Sequence, residues 1–354
     1  MHRQSPDAAL VSIATAVPPH ALGQDDIATR MRAQFSQSQV VQRLLPVFES
    51  TGIKRRHSCV PIEWYYESHG WPQRNAIYLE SAQSLLEQAA RDALERADVR
   101  PNQIDTVVVV STTGIATPSL DARLIAPLRL QPTVRRLPIF GLGCVGGAVG
   151  LARAASMAKV KPNANVLLLV VELCALWFRR DDITKSNVVA TALFGDGAAA
   201  AVLRTGARGP RIGASGEYTF PDSLDVMGWD VTDDGLRAIF SRDIPALVEQ
   251  QFRQALDEYL AQSHLRRADI DVYLSHPGGT KVLEALEVAI GIEPGSLADS
   301  RAILTEYGNM SAVTVLFVLQ RALREGALAS GRWRRALLSA MGPGFTAAFV
   351  TLEQ

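Results

Sequence analysis

Cys144 lies in the stretch Gly141-Leu-Gly-Cys-Val-Gly-Gly-Ala-Val-Gly150, which follows a short apolar run and leads into small residues with helical spacing. A cysteine at a helix N-terminus faces unpaired N–H groups and the positive end of the helix dipole. Both favour thiolate over thiol, so a lowered pKa and a nucleophilic sulfur are expected. The structural alternative is a small hydrophobe packed in a tight corner. Cys59 and Cys174 lack a comparable glycine corner and read as packing residues. His276 lies in Ser275-His-Pro-Gly-Gly279, and Asn309 in Glu306-Tyr-Gly-Asn-Met-Ser-Ala312. Taken singly, the histidine reads as a satisfied core or surface residue and the asparagine as a helix N-cap. Taken with the thiol, they suit acyl transfer. Sulfur can hold an acyl group as a thioester. A second thioester can then lose CO₂, and an imidazole N–H and an amide NH₂ supply donors to the enolate oxygen. That chemistry needs no metal and no redox cofactor.

Two other readings use the same residues. Gly141-x-Gly143-x-x-Gly146 is a dinucleotide fingerprint, with Glu172 placed where a ribose-binding acid would stand, which would suit a nicotinamide-dependent oxidoreductase. The order Cys, His, Asn also mimics a papain-like protease, but the Cys-Gly-Ser-Cys-Trp surroundings of that family are absent.

These residues must be brought together by elements far apart in the chain. Thr106-Val-Val-Val-Val110 and Val166-Leu-Leu-Leu-Val-Val171 read as strands buried on both faces. Segments of helical period, Tyr78 to Ala97 and Gly146 to Lys159, lie among them, so a layered α/β architecture is expected. The chain also repeats itself at an offset of about 165 residues. Ile104-Asp105 and Ile270-Asp271 open matching strands. Leu137 to Cys144 and Ala302 to Asn309 each lead into a helix, so both functional residues are expected at strand-to-helix corners. Two similar halves follow, residues 1–205 carrying the cysteine and 206–354 carrying the histidine and asparagine, joined near Arg204-Thr-Gly-Ala-Arg-Gly-Pro-Arg211.

With 354 residues, 47% of them hydrophobic, the chain has ample material for a large core. Its 36 Lys plus Arg balance its 36 Asp plus Glu, so bulk charge points to no nucleic-acid partner. Three cysteines suit a reducing compartment, and a cytoplasmic location is expected. Ala8 to Val17 reads as a buried first strand rather than a leader, and Val166 to Phe178 is too short to span a bilayer.

Gly143-Cys-Val-Gly-Gly147, Leu193-Phe-Gly-Asp-Gly-Ala-Ala199, His276-Pro-Gly-Gly279, Tyr307-Gly-Asn-Met-Ser311 and Gly342-Pro-Gly344 together resemble the type III polyketide synthases, the chalcone-synthase-like family of the thiolase fold. The resemblance implies an α/β thiolase-like fold, two pseudo-symmetric halves each with a mixed sheet, in five αβαβα layers. It implies an acyltransferase that condenses malonyl-CoA onto an acyl-CoA starter, working as a homodimer without a cofactor. Ketoacyl synthases share the three residues but usually carry His-Gln-Ala-Asn where this chain has His276-Pro-Gly-Gly. Carried over by position, Cys144 is the acyl-bearing nucleophile, held as thiolate by His276, and His276 with Asn309 is the decarboxylation pair. Phe194 resembles the aromatic gate, and Thr112, Thr117 and Pro343 resemble cavity residues. Where the plant enzymes carry a second gating Phe, a small residue and a Thr, this chain has Ala238, Trp229 and Trp177, so the pocket is expected to be narrowed or redirected. Of three basic coenzyme A contacts only Arg43 is retained, with Pro46 and Ser50 in the other places. Trp64-Tyr-Tyr-Glu-Ser-His-Gly-Trp-Pro72 and Met227-Gly-Trp-Asp230 look more like bacterial synthases of alkylpyrones or alkylresorcinols, which use fatty acyl starters.

Overall fold

Apolar β-branched and leucine-rich runs form strands here because helices cover both of their faces. The computed structural model describes residues 7–241 and 243–354. Its strands are β1 (Ala8–Ala16), β2 (His20–Gly23), β3 (Arg55–Ser58), β4 (Ile104–Val110), β5 (Arg135–Ile139), β6 (Asn165–Leu173) and β7 (Asp196–Thr205), then β8 (Arg211–Thr219), β9 (Met227–Thr232), β10 (Gly235–Phe240), β11 (Val272–Ser275), β12 (Arg335–Gly342) and β13 (Thr346–Glu353). Nine of them join in the order β11-β12-β13-β8-β1-β7-β6-β4-β5, while β2–β3 and β9–β10 form separate pairs.

The large sheet is mixed. β4 pairs in parallel with β5 and β6, and β11 with β12, whereas β7, β1, β8 and β13 run antiparallel to their neighbours. The two halves meet where Ala8 and Ala9 of β1 pair with Ile212 and Arg211 of β8. On one side stand β4, β6, β7 and β1; on the other stand β11, β12, β13 and β8 in the same relative order and sense. All nine residues of β6 are buried, as a strand covered on both faces must be.

Side-chain alternation sorts the halves into layers. Val108 and Val110 of β4 and Leu338 and Ala340 of β12 share a central core with the helices Gly146–Ala158 and Thr314–Arg324. Val107 and Val109 face the opposite way, onto the helix Trp71–Arg96. Leu337 of β12 and Phe349 of β13 face the helices Ile244–Gln262 and Thr280–Ile290. The result is five layers, α, β, α, β, α, with the two central helices shared by both halves. Gly146–Ala158 is buried nearly all round, which explains its small side chains, whereas Thr314–Arg324 buries Thr314 to Leu319 and Ala322 and turns Gln320, Arg321 and Arg324 outward.

The duplication is incomplete at one place. β5 precedes the Cys144 corner, but residues before Asn309 form the helix Ala298–Tyr307. The expectation of a strand-to-helix corner at Asn309 is therefore corrected. Ile303, Leu304 and Tyr307 fall at helical spacing, and Ile303 and Leu304 are buried by it.

Candidate active site

Cys144 sits in a single 3₁₀ turn, Gly143–Val145, directly before the helix Gly146–Ala158. The turn is fixed from below by Thr112, whose Oγ1 accepts from the Gly143 N–H at 2.9 Å. Asn309 occupies the matching corner of the second half, before the 3₁₀ turn Ser311–Val313 and the helix Thr314–Arg324. The two side chains meet: the Cys144 thiol lies 4.0 Å from Asn309 Oδ1. Asn309 is tied on every side. Its N–H donates to Leu193 O at 2.8 Å, its carbonyl accepts from Gly195 N–H at 3.0 Å, and its Oδ1 accepts from Ser311 N–H at 2.8 Å. Its Nδ2 donates to Gly278 O at 3.3 Å, so the turn that begins at His276 closes on the same amide.

His276 directly follows β11, its N–H donating to Ser339 O of β12 at 2.8 Å. It is buried, yet neither ring nitrogen has a hydrogen-bond partner among the described residues. Two orphaned nitrogens in a buried polar ring need a partner that enters from outside. Burial pushes the imidazole down to about 3.

Burial pushes the Cys144 thiol up to about 11; hydrogen bonds with Ser311 and Asn309 pull the other way, and the Glu172 charge adds to the push. The lowered thiol pKa expected from the sequence is thereby corrected. Desolvation of a sulfur anion outweighs the orphan N–H groups of the short turn. Both shifts favour the neutral forms, thiol and imidazole.

An apolar channel lies beside this corner and touches it through Phe194, whose backbone bridges to Asn309; Cys144, His276 and Asn309 do not themselves line it. Its buried end is formed by Cys174, Phe194 and Trp177, beside the half-buried Trp229 and Ala238. It passes Ile27 and Met31 of the helix Gln24–Gln34, and Phe178 and Ala190, to the exposed residues Gln34 and Tyr66. With a cavity volume of about 80 Å³ it is narrow. Trp229 packs on Phe194 with ring centroids 5.5 Å apart, and Trp177 is held by its Nε1–H donating to Thr113 O at 2.6 Å. Phe194 is the shared wall: its ring lines the channel, while its backbone pairs with Asn309.

The remaining expected residues fall in three places. Thr112 and Pro343 buttress the Cys144 turn rather than line the channel; a Cβ on Gly143 would come within 2.6 Å of the Pro343 ring. Thr117 is exposed and lines neither this channel nor the polar cleft beside it. Arg43 is exposed on the helix Gln39–Leu44, also outside the channel. Sequence reasoning missed Ser311, Thr113 and Cys174. Only Ser311 carried a signal, its place two residues after Asn309.

The dinucleotide reading fails on the same geometry. The Gly143 N–H that would face a phosphate is already bonded to Thr112, and Glu172 is buried, accepting from Thr112 and Thr113. No cluster of three or more metal-ligating side chains occurs among the described residues, and no helix among them is long and apolar enough to cross a membrane.

Five layers built from two duplicated halves, with the halves meeting at paired helix corners, define a thiolase-like condensing enzyme. Family profiles for the chalcone and stilbene synthases match the chain, the N-terminal domain over residues 1–207 and the C-terminal domain over 212–354. A Bacillus subtilis protein assigned by name to the chalcone synthases is 40% identical over 352 residues, 95% of this chain and 96% of that one. The 1,3,6,8-tetrahydroxynaphthalene synthase of Streptomyces peucetius is 38% identical over 97% of this chain and 92% of its own. The crystal structure of the corresponding synthase from Streptomyces coelicolor superposes with a TM-score of 0.92 at 32% identity, covering 98% of this chain and 99% of that one. The chain belongs to the chalcone and stilbene synthase family, the type III polyketide synthases, which are acyl-transferring condensing enzymes acting on coenzyme A thioesters.

Proposed function

We propose that this chain loads a medium- or long-chain fatty acyl group from acyl-CoA onto Cys144 and extends it with malonyl-CoA, closing the product as an alkylpyrone or alkylresorcinol. The reading is carried by the apolar channel that starts at Phe194, beside the Cys144–Asn309 contact, and leads to the surface between Gln34 and Tyr66. An alkyl chain is the substrate group that gains from such a wall, at about 0.8 kcal/mol per buried CH₂.

In this reading His276 acts first as general base. The arriving thioester brings a polar oxygen to the orphaned ring nitrogens, the thiol proton passes to the imidazole, sulfur attacks the acyl carbonyl, and the imidazolium returns that proton to the coenzyme A sulfur as it leaves. Malonyl-CoA then loses CO₂. The enolate oxygen accepts from the His276 ring N–H and from the second hydrogen of the Asn309 amide, since only one is committed to Gly278 O. The enolate carbon attacks the thioester on Cys144 and releases the thiol.

The halves 1–205 and 206–354 serve as the two chemical partners, one bringing the nucleophile and the other the donors. Arg43, exposed and unpaired among the described residues, is the cation for a coenzyme A phosphate. The working unit is a cytoplasmic homodimer; Phe140, 64% exposed, and Ile115 are large apolar side chains that a second copy would cover.

The test is a product assay by mass spectrometry with labelled malonyl-CoA and starters from decanoyl- to stearoyl-CoA. Labelled pyrones or resorcinols bearing the starter's alkyl tail are expected. A product built from malonyl units alone, with no alkyl tail, would overturn the starter assignment.

A further inference from the structure

Glu172 is a buried acid that the condensation chemistry leaves unused. It lies near the end of β6 with no exposed surface. Three donors converge on its Oε2: the N–H groups of Thr112 and Thr113, each at 3.0 Å, and the Thr113 hydroxyl at 2.7 Å. Its Oε1 has no partner among the described residues. Burial pushes the carboxyl up to about 7, although the bonds from Thr112 and Thr113 pull against it. A carboxyl buried this far from water must be hydrogen-bonded, and here all the bonds come from one turn.

What it holds is the turn that follows β4, and two contacts leave that turn in different directions. Thr112 Oγ1 accepts from the Gly143 N–H at 2.9 Å, one residue before Cys144. Thr113 O accepts from Trp177 Nε1 at 2.6 Å, on the channel wall. Thr113 Oγ1 also accepts from Leu173 N–H at 2.8 Å, so the turn is locked to the strand on which Glu172 sits.

We propose that Glu172 is a positioning residue that sets two quantities through one carboxylate: the placement of Cys144 by way of Thr112, and the bore of the acyl channel at Trp177 by way of Thr113. The inference rests on the reading of Cys144 as nucleophile and of the channel as the acyl site. Displacing the turn moves both walls together. A lost hydrogen bond to a charged group is large enough to be read in either quantity.

The branches are separable in the full-length enzyme by two readouts, the rate of Cys144 alkylation followed by mass spectrometry and the ratio of kcat/KM for a long over a short acyl-CoA. Thr112→Val slows alkylation and acyl transfer for all starters alike, by about tenfold, and leaves the chain-length ratio in place. Thr113→Val shifts the chain-length ratio by a similar factor and leaves alkylation in place. Glu172→Ala moves both. Glu172→Gln, whose amide oxygen can accept the same three donors, restores most of each. If Glu172→Ala does not fold, the two threonine variants and Glu172→Gln still decide the matter. Threonine variants that move both readouts equally, or a Glu172→Gln enzyme as impaired as Glu172→Ala, overturn the two-branch role. A wild-type enzyme with no chain-length preference at all overturns instead the channel reading on which it rests.

Discussion

The corners at Cys144 and Asn309 are built alike and chemically opposed. Each has a glycine with positive φ immediately before the functional residue, Gly143 at 49° and Gly308 at 67°. Cys144 lies within a 3₁₀ turn and Asn309 just before one, and each turn leads into one of the two central helices. Yet Cys144 keeps part of its surface open and meets only weak side-chain partners, Asn309 and Ser311, whereas Asn309 is buried and bonded through its backbone and both amide atoms. The difference suits two tasks. A nucleophile must approach and release a substrate, so its side chain is left uncommitted. A hydrogen-bond donor to a developing charge gains from being fixed beforehand, because no reorganisation is then needed as the charge appears.

The largest expected effects break the comparison directly. Cys144→Ala is expected to abolish condensation, with a loss of at least about a thousandfold, while malonyl-CoA decarboxylation persists because its donors remain. His276→Ala and Asn309→Ala are expected to lower decarboxylation itself by on the order of a hundredfold, with Cys144 still present. Release of labelled CO₂ beside product formation separates the two corners. Decarboxylation that vanishes in Cys144→Ala, or survives intact in Asn309→Ala, would mean that the roles are not divided between the halves.

A second prediction concerns the resting state of the nucleophile. With the thiol pushed up to about 11 and the imidazole down to about 3, the free enzyme holds neutral partners at pH 7. Below its pKa the thiolate fraction grows tenfold per pH unit, so iodoacetamide labelling of Cys144 should rise about a hundredfold between pH 7 and pH 9. A rate already on a plateau at pH 7 would show that an imidazolium–thiolate pair forms without substrate.

Much of this arrangement can be read from residues alone, for identifiable reasons. β4 and β6 are legible because runs of valine and leucine bounded by turns have few other ways to be buried. The pairing of Cys144 with Asn309 is legible because duplication gives distant positions a common address. The helix before Asn309 is less so, since Ala302 to Asn309 is short and apolar at either period. The channel's course is not legible at all. Trp177 and Trp229 signal a changed pocket, but its direction depends on Ile27 and Met31 arriving from a helix in another part of the chain. The thiol pKa fails for a different reason. The local signal of a helix start is visible in sequence, whereas the burial that outweighs it belongs to the assembled halves.

The smallest effect expected sharpens the likeness rather than the contrast. Both glycines hold positive φ, but Gly308 combines φ 67° with ψ −162°, a region open to glycine alone, while Gly143 at φ 49° lies where an L-residue is strained but tolerated. A Cβ at Gly308 would also sit 2.7 Å from the Leu193 carbonyl oxygen, which accepts the Asn309 N–H and cannot give way without losing it. A Cβ at Gly143 would press instead on the Pro343 ring, a half-buried side chain in the turn between β12 and β13 rather than a backbone atom that bonds Asn309. Gly308→Ala should therefore cost about 2–3 kcal/mol of stability and Gly143→Ala about 1–2, read from denaturant unfolding. Gly143→Ala should slow acyl transfer while sparing decarboxylation, and Gly308→Ala should weaken both. The reverse order of stability loss would show that the tighter bonding of Asn309 is not what separates the two corners.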